Sequence, residues 1–394
     1  MTLRILHTGD LQLGYTQYGY AARKSDFNRA AKSAISLGPE LGVDCVVIAG
    51  DLFEVPEPPA SAVLALKHAV DDCTAAGIPV LGVYGNHDAG DEDPEENGGW
   101  LSVCGIQNLE NDTAVINRRV VGGLNFRHNE LFERDLELYL SRRAGLHVLV
   151  LHQALAEFTG FPVPLTAKRV AELIKASASA DTCKLVLMGD IHIHEVQEID
   201  GITFTYCGAT EWNGAGESPV KRVSEITLTE DLRTQVNGHL LDTRTVVRHK
   251  VTQVEHMDDL RAAVAADPEH DTLYDVVYDP ELPDIRKEIR TVLKGRMYRM
   301  AFIPKKNSGL TTELLVHKGE TEQVRGATAA ALRQTLDAAY PTGDPRRELI
   351  LRLLDSPATV EEIITQYIKE KTNDHPVHED VQDEDRRTNA TADS

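Results

Sequence analysis

The sequence predicts a layered α/β fold followed by a smaller α+β segment and a helical one. Three observations carry that expectation. Apolar strand-like runs alternate with helical segments over residues 1–240, five of those runs end in motifs rich in oxygen and nitrogen donors, and such motifs cease after about residue 245. Strands separated by helices build a sheet whose donor-bearing loops collect at the strand carboxyl ends.

Taken in order, Leu3-Arg4-Ile5-Leu6 leads to Gly9-Asp10-Leu11-Gln12, and Val46-Val47-Ile48-Ala49 leads to Gly50-Asp51. Ile78-Pro79-Val80-Leu81 leads to Gly85-Asn86-His87-Asp88, and Val148-Leu149-Val150-Leu151 ends at His152. Leu185-Val186-Leu187-Met188 runs into Gly189-Asp190-Ile191-His192-Ile193-His194. Between them, helices are expected at Ser25–Leu37, Ala60–Ala76, Leu131–Ala144 and Thr166–Ala176, with Ser25 and Ser61 as N-caps and Gly38 and Gly77 at the stops. Closely spaced strands at Thr203–Tyr206 and Val223–Leu228 suggest a second, more antiparallel sheet packed on the first.

The expected division is a catalytic domain over 1–240, a small cap domain over 246–310, a helical region over 320–371 and a disordered acidic tail over 372–394. Within the cap, strands are expected at Thr272–Tyr278 and Met297–Ile303, and helices at Met257–Ala266 and Ile285–Leu293. The last helix, about Thr359–Lys371, aligns Val360, Ile363, Ile364, Tyr367 and Ile368 on one stripe.

At 394 residues and 42% hydrophobic content, the chain is long and apolar enough for more than one core. No apolar run reaches bilayer length, so no membrane span is expected. The N-terminus enters a strand without a basic segment and apolar core, which argues against secretion. Five cysteines without a Cys-x-x-Cys pair read as buried reduced thiols and favour the cytoplasm. The net charge of −21 is not that of a protein that grips nucleic acid unaided. The stretch from Asn373 to Ser394 accounts for −5 of it, leaving an acidic body of −16. Either the substrate is small, or metals and a partner subunit supply the positive charge.

Donors at five strand ends, presented toward one rim, suit a pair of divalent cations. Two-metal phosphoester hydrolysis holds its cations about 3.5–4 Å apart, polarises the phosphoryl oxygens and needs no side-chain nucleophile. One carboxylate must bridge the pair, and Asp51 at its strand end is the natural bridge.

In this order the motifs resemble those of the calcineurin-like metallophosphoesterases. More narrowly, they resemble the SbcD-type nuclease subunit of the SbcCD family of DNA double-strand-break repair complexes. Ile5-Leu6-His7-Thr8-Gly9-Asp10, Gly50-Asp51-Leu52-Phe53 with Pro58-Pro59, Gly77-Ile78-Pro79-Val80 and Tyr206-Cys207-Gly208-Ala209-Thr210 carry the narrower likeness. The resemblance implies a layered β-sandwich flanked by helices. It implies one metal at Asp10, Gln12, Asp51 and His192, and another at Asp51, Asn86, His152 and Asp190. His87 would then protonate or steady the leaving oxygen, and Asp88 would orient that imidazole.

Gln12 and Asp190 stand where that family has histidines. Oxygen donors in their place favour Mn²⁺, or Mg²⁺, over Zn²⁺. The implied activity is metal-dependent cleavage of DNA in repair or end processing, with an SMC-like coiled-coil ATPase as partner and a homodimer as assembly. The alternatives are a stand-alone phosphatase or phosphodiesterase for small phosphoesters, and a scaffold weakened by the two replacements. Arg118-Arg119, Arg142-Arg143, Lys305-Lys306 and Arg346-Arg347 are candidate contacts to a DNA backbone.

Overall fold

The computed structural model describes residues 2–89, 99–160 and 162–303. In chain order these form β1 (Leu3–Thr8), α1 (Ala21–Leu41), β2 (Cys45–Ala49), α2 (Ala60–Ala75), β3 (Val80–Val83), α3 (Asn86–Ala89), α4 (Trp100–Cys104) and β4 (Gln107–Asn108). Then follow β5 (Ala114–Ile116), β6 (Arg119–Leu124), α5 (Asn129–Arg142), β7 (Leu146–His152), α6 (Ala167–Lys175), β8 (Leu185–Gly189), β9 (Glu195–Ile199) and β10 (Ile202–Tyr206). The remainder is β11 (Arg222–Leu228), β12 (Thr234–Leu240), β13 (Thr245–Val251), α7 (His256–Ala265), β14 (Thr272–Tyr278), α8 (Ile285–Val292) and β15 (Met297–Phe302).

Two six-stranded sheets lie face to face, ordered β12-β11-β1-β2-β3-β4 and β5-β6-β7-β8-β10-β9. Strand alternation explains the layering. In β2, Cys45, Val47 and Ala49 join Val148, Val150, Leu185 and Leu187 of the opposite sheet in one core. Val46 and Ile48 face the other way, into a core shared with α1 and α2. Leu149, Leu151, Val186 and Met188 do the same against α5 and α6. The result is helix, sheet, sheet, helix. The continuous apolar runs of β2, β7 and β8 follow from burial on both faces.

The strand at Val223–Leu228 departs from expectation. As β11 it belongs to the first sheet, antiparallel to β1, with Ile5 opposite Ile226. The second sheet is mixed, parallel at its centre and antiparallel at β5 and β9.

Helix α1 also corrects the expected boundaries. It begins after Tyr20, and it runs through Gly38 and Pro39 to a left-handed Gly42. Pro39 cannot donate to the carbonyl four residues back, and the Cys73 thiol donates to that Ile35 carbonyl instead, at 3.7 Å. A Cβ on Gly38 would lie 2.7 Å from Val46, so the glycine is there for packing. Ser61 sits inside α2, whose N-cap is Pro59.

A third sheet, β13-β14-β15, is wholly parallel and is crossed by α7 and α8 over its own core of Val251, Leu260, Tyr274, Val276 and Ile289. Residues up to Ile303 form one compact unit. The expected helical region and acidic tail, with Lys305-Lys306 and Arg346-Arg347, lie outside the described residues. All five cysteines are buried and unpaired. Among the described residues no helix is long and apolar enough to cross a membrane.

Candidate metal centre

The carboxyl ends of β1, β2, β3, β7 and β8 bring the donors together. The turn after β1 is laced to the turn after β2, with the Asp10 amide donating to the Gly50 carbonyl at 3.0 Å and the Leu11 amide to the Asp51 carbonyl at 2.8 Å. Asp10, Gln12, Asp51 and Asp190 all adopt positive φ, at 47°, 43°, 51° and 92°. Each such non-glycine conformation costs on the order of 1 kcal/mol. Their clustering marks a backbone bent to aim side chains inward.

Glycine makes the approach feasible. A Cβ on Gly50, at φ 86°, would lie 2.3 Å from His152 Nδ1, and one on Gly85 would lie 2.0 Å from Asp51 Oδ1.

Donor atoms of Asp10, Asp51 and His192 lie within 4.8 Å of one another. On the far side of Asp51, His152 Nδ1 donates to the Ala49 carbonyl at 2.7 Å, which turns Nε2 into the cluster. That nitrogen is 3.1 Å from Asn86 Oδ1, 3.3 Å from Asp51 Oδ1 and 4.0 Å from Asp190 Oδ1. Asp190 in turn donates its amide to Asp10 Oδ1 at 3.0 Å. Asp10 Oδ2 is buried with no hydrogen-bond partner. An orphaned carboxylate oxygen beside converging oxygens and imidazole nitrogens fits divalent cations.

The electrostatics are those of a cluster short of positive charge. Burial raises the Asp10 pKa, although His192 and His152 oppose it. Burial alone would raise that of Asp51 too, but His152 and His87 outweigh it and hold the carboxylate ionised. Burial lifts Asp190 to about 6 against the pull of His152. Burial lowers His152, but Asp51, Asp190 and Asp10 together bring it to about 9. His192 also reaches about 9, because Glu217 overcomes burial.

Of the expected site residues, Asp10, Gln12, Asp51, Asn86, His152, Asp190 and His192 gather in this cluster. Gln12 does so obliquely. Its Nε2 is 3.3 Å from His192 Nε2, while its Oε1 accepts from Asn213 Nδ2. A half-turn of the amide would exchange the two. His87 stands at the rim, with its amide donating to Asp51 Oδ1 at 3.1 Å and its Nδ1 at 2.8 Å from the Glu54 carbonyl. Burial would lower the His87 pKa, yet Asp51 and Glu54 outweigh it and raise it above the usual imidazole range.

Asp88 has a different place from the one expected. It does not orient the His87 ring. Its Oδ2 accepts from the Gly85 amide at 2.9 Å and the Leu52 amide at 3.2 Å, and its Oδ1 from the Phe53 amide at 3.1 Å. The side chain therefore ties the turn after β3 to the turn after β2. Burial, with Asp51 beside it, pushes its pKa up to about 7.

Three residues here, Glu217, Asn213 and Lys221, carry no signature in the sequence motifs. Glu217 holds His192 Nδ1 at 2.7 Å through Oε1, and through Oε2 accepts from the Asn213 amide at 3.1 Å and from Lys221 Nζ. Burial opposes its charge, but His192 and Lys221 keep its pKa at about 2. Only the Glu217-x-x-x-Lys221 spacing could have hinted at this. His194 points elsewhere, with Nε2 2.8 Å from Ser224 Oγ. His7 is buried and neutral, its pKa driven down to about 3 by burial. Arg119 donates to the Thr229 and Glu230 carbonyls and Arg143 to those of Glu110 and Asn111, so both of these arginines serve the fold.

The family model for calcineurin-like phosphoesterases matches residues 3–198. The DNA double-strand break repair protein Mre11 of Haloferax volcanii is 30% identical over 246 residues, covering 61% of this chain and 53% of that protein. That of Methanosarcina mazei is 29% identical over 238 residues, covering 57% and 36%. That of Archaeoglobus fulgidus is 31% identical over 235 residues, covering 53% and 50%. The chain thus spans about half the length, or less, of these curated relatives.

Proposed function

The chain carries a calcineurin-like phosphoesterase domain over residues 3–198 and belongs to that family, and from this we propose that it is a two-metal nuclease hydrolysing phosphodiesters of DNA. One observation carries the chemistry. His152, held through Nδ1 by a main-chain carbonyl, turns Nε2 toward Asn86, Asp51 and Asp190 beside an Asp10 oxygen that has no partner. These residues would hold two divalent cations, whose charge would polarise a phosphoryl oxygen and acidify a water.

The chain's own groups do the rest. Asp51 lies between the two donor sets. His87 stands at the rim with its pKa raised by Asp51 and Glu54 against burial, and is the group placed to protonate the leaving oxygen. Asp88 holds the turn that carries Asn86 and His87. Gln12 and Asp190 give an oxygen-rich donor set, for which Mn²⁺, or Mg²⁺, is the preferred ion.

The DNA assignment draws support from the named relatives and from a basic surface beside the third sheet. A cleft of about 800 Å³ there is lined by Arg286, Lys287 and Arg290 of α8 and by Lys294 just beyond it, with Asp284 the one acidic residue in its lining. On a chain of net charge −21, such a concentration suits a polyanion. An SMC-like ATPase partner would supply more.

The test compares Mn²⁺-dependent degradation of linear duplex DNA with hydrolysis of a small aryl phosphodiester, using the Asp51→Ala variant as control. Degradation of duplex that vanishes in the variant is the expected result. Cleavage of the small ester alone would favour the small-substrate phosphodiesterase. Equal activity with Zn²⁺ in the metal-reconstituted protein would overturn the Mn²⁺ assignment.

A further inference from the structure

His192 owes its orientation to a segment that no regular element supports. Residues 211–221 form neither helix nor strand, and they include Gly214 and Gly216. The Glu217 carboxylate is spoken for by His192, the Asn213 amide and Lys221. Its main chain is held from elsewhere. Arg248, on β13 of the third sheet, donates through Nη2 to the Ala215 carbonyl at 3.1 Å and to the Glu217 carbonyl. Its guanidinium carbon sits 5.8 Å from the centre of the Trp212 ring. Its Nε is 3.5 Å from Asp275 on the central strand β14, a carboxylate only 3% exposed. An unbroken series of contacts thus runs from the third sheet through Arg248 and Glu217 to the His192 ring.

We infer that Arg248 is a positioning residue of the metal centre: by fixing the Glu217 main chain it sets the His192 imidazole, so the third sheet completes one half of the donor cluster. The inference rests on the two-cation reading above. Groups that orient a ligating histidine alter metal affinity by roughly 10- to 100-fold. Loss of Arg248 must therefore weaken the cation that takes His192, while the one that takes His152 is untouched, because His152 is held by Ala49.

The experiment titrates Mn²⁺ alone into metal-free full-length protein by calorimetry and by low-temperature electron paramagnetic resonance. The native chain is expected to bind two equivalents and show the signal of a coupled manganese pair. In Arg248→Ala, one equivalent should keep its affinity, the other should weaken roughly 10- to 100-fold, and an isolated-ion signal should replace the coupled one. R248K, which can reach one carbonyl, should recover part of the loss. R299A removes another arginine from Asp275 without touching the loop, and it should bind as the native chain does. If Arg248→Ala melts early, R248M, which retains the aliphatic stem, replaces it. Two native-affinity equivalents with the coupled signal in the Arg248 variants would overturn the inference. So would equal weakening of both equivalents. A native chain that binds fewer than two equivalents would instead sink the two-cation reading itself.

Discussion

Around His152 the donor geometry is fixed by main chain. Its Nδ1 meets the Ala49 carbonyl at the end of β2, and Gly189 at the end of β8 passes close by. Around His192 the geometry is fixed by side chains. Glu217 and Asn213 meet the ring, and Lys221 braces Glu217, from an irregular loop that leans on Arg248 of the third sheet. The first half of the cluster is therefore as rigid as the sandwich core, and the second only as rigid as a relay of side chains. The contrast teaches that two donor sets sharing Asp51 can respond to quite different perturbations.

The largest effect should come from overfilling the rigid half. A Cβ on Gly189 would stand 1.9 Å from the Ala49 carbonyl oxygen and 2.7 Å from His152 Nδ1. Neither neighbour can yield without moving β2 or the imidazole. Gly189→Ala should cost about 3 kcal/mol of stability, at the upper end for overpacking, and denaturant melts should show it. It should also remove the His152-side cation. Native-like stability would mean that the main chain there is softer than its contacts imply.

A smaller, more selective effect is expected from the other half. Glu217→Gln, which keeps acceptor oxygen for the buried Lys221 and the His192 ring, should leave the melt of metal-free protein at neutral pH within about 1–2 kcal/mol of native. It should still weaken one Mn²⁺ equivalent roughly 10- to 100-fold. Equal weakening of both equivalents would erase the distinction between the halves.

The same contrast explains what the sequence made legible. Asp10, Asp51, Asn86, His152, Asp190 and His192 could be read because each follows an apolar run that must be a buried strand, and local pattern records that. The place of β11 could not be read, because its pairing with β1 joins residues more than two hundred positions apart. The task of Asp88 is hidden from the sequence for a related reason. Its partners are amides of Leu52 and Phe53, and backbone donors leave no trace in a sequence. Glu217 and Arg248 were invisible because their loop has no periodicity and their contacts cross layers. The unbroken course of α1 through Pro39 depended on a thiol from α2.

The mildest prediction concerns protons. In the metal-free protein His152 and His192 both have pKa values raised to about 9, so both are charged at pH 7.5. A cation displaces a proton from each ligating imidazole. Binding should therefore release about two protons at pH 7.5, read by calorimetry in buffers of different ionisation enthalpy, and apparent affinity should climb with pH up to about 9. The two histidines are raised by different partners. His152 answers to Asp51, Asp190 and Asp10, whereas His192 answers first to Glu217. Glu217→Gln keeps an oxygen for the ring but removes the charge. The His192 pKa should then fall, and proton release should drop toward about one. The contribution of the His152 half should stay unchanged. Undiminished release in that variant would show that the His192 proton is held by the aspartates, and that the two halves are electrostatically one.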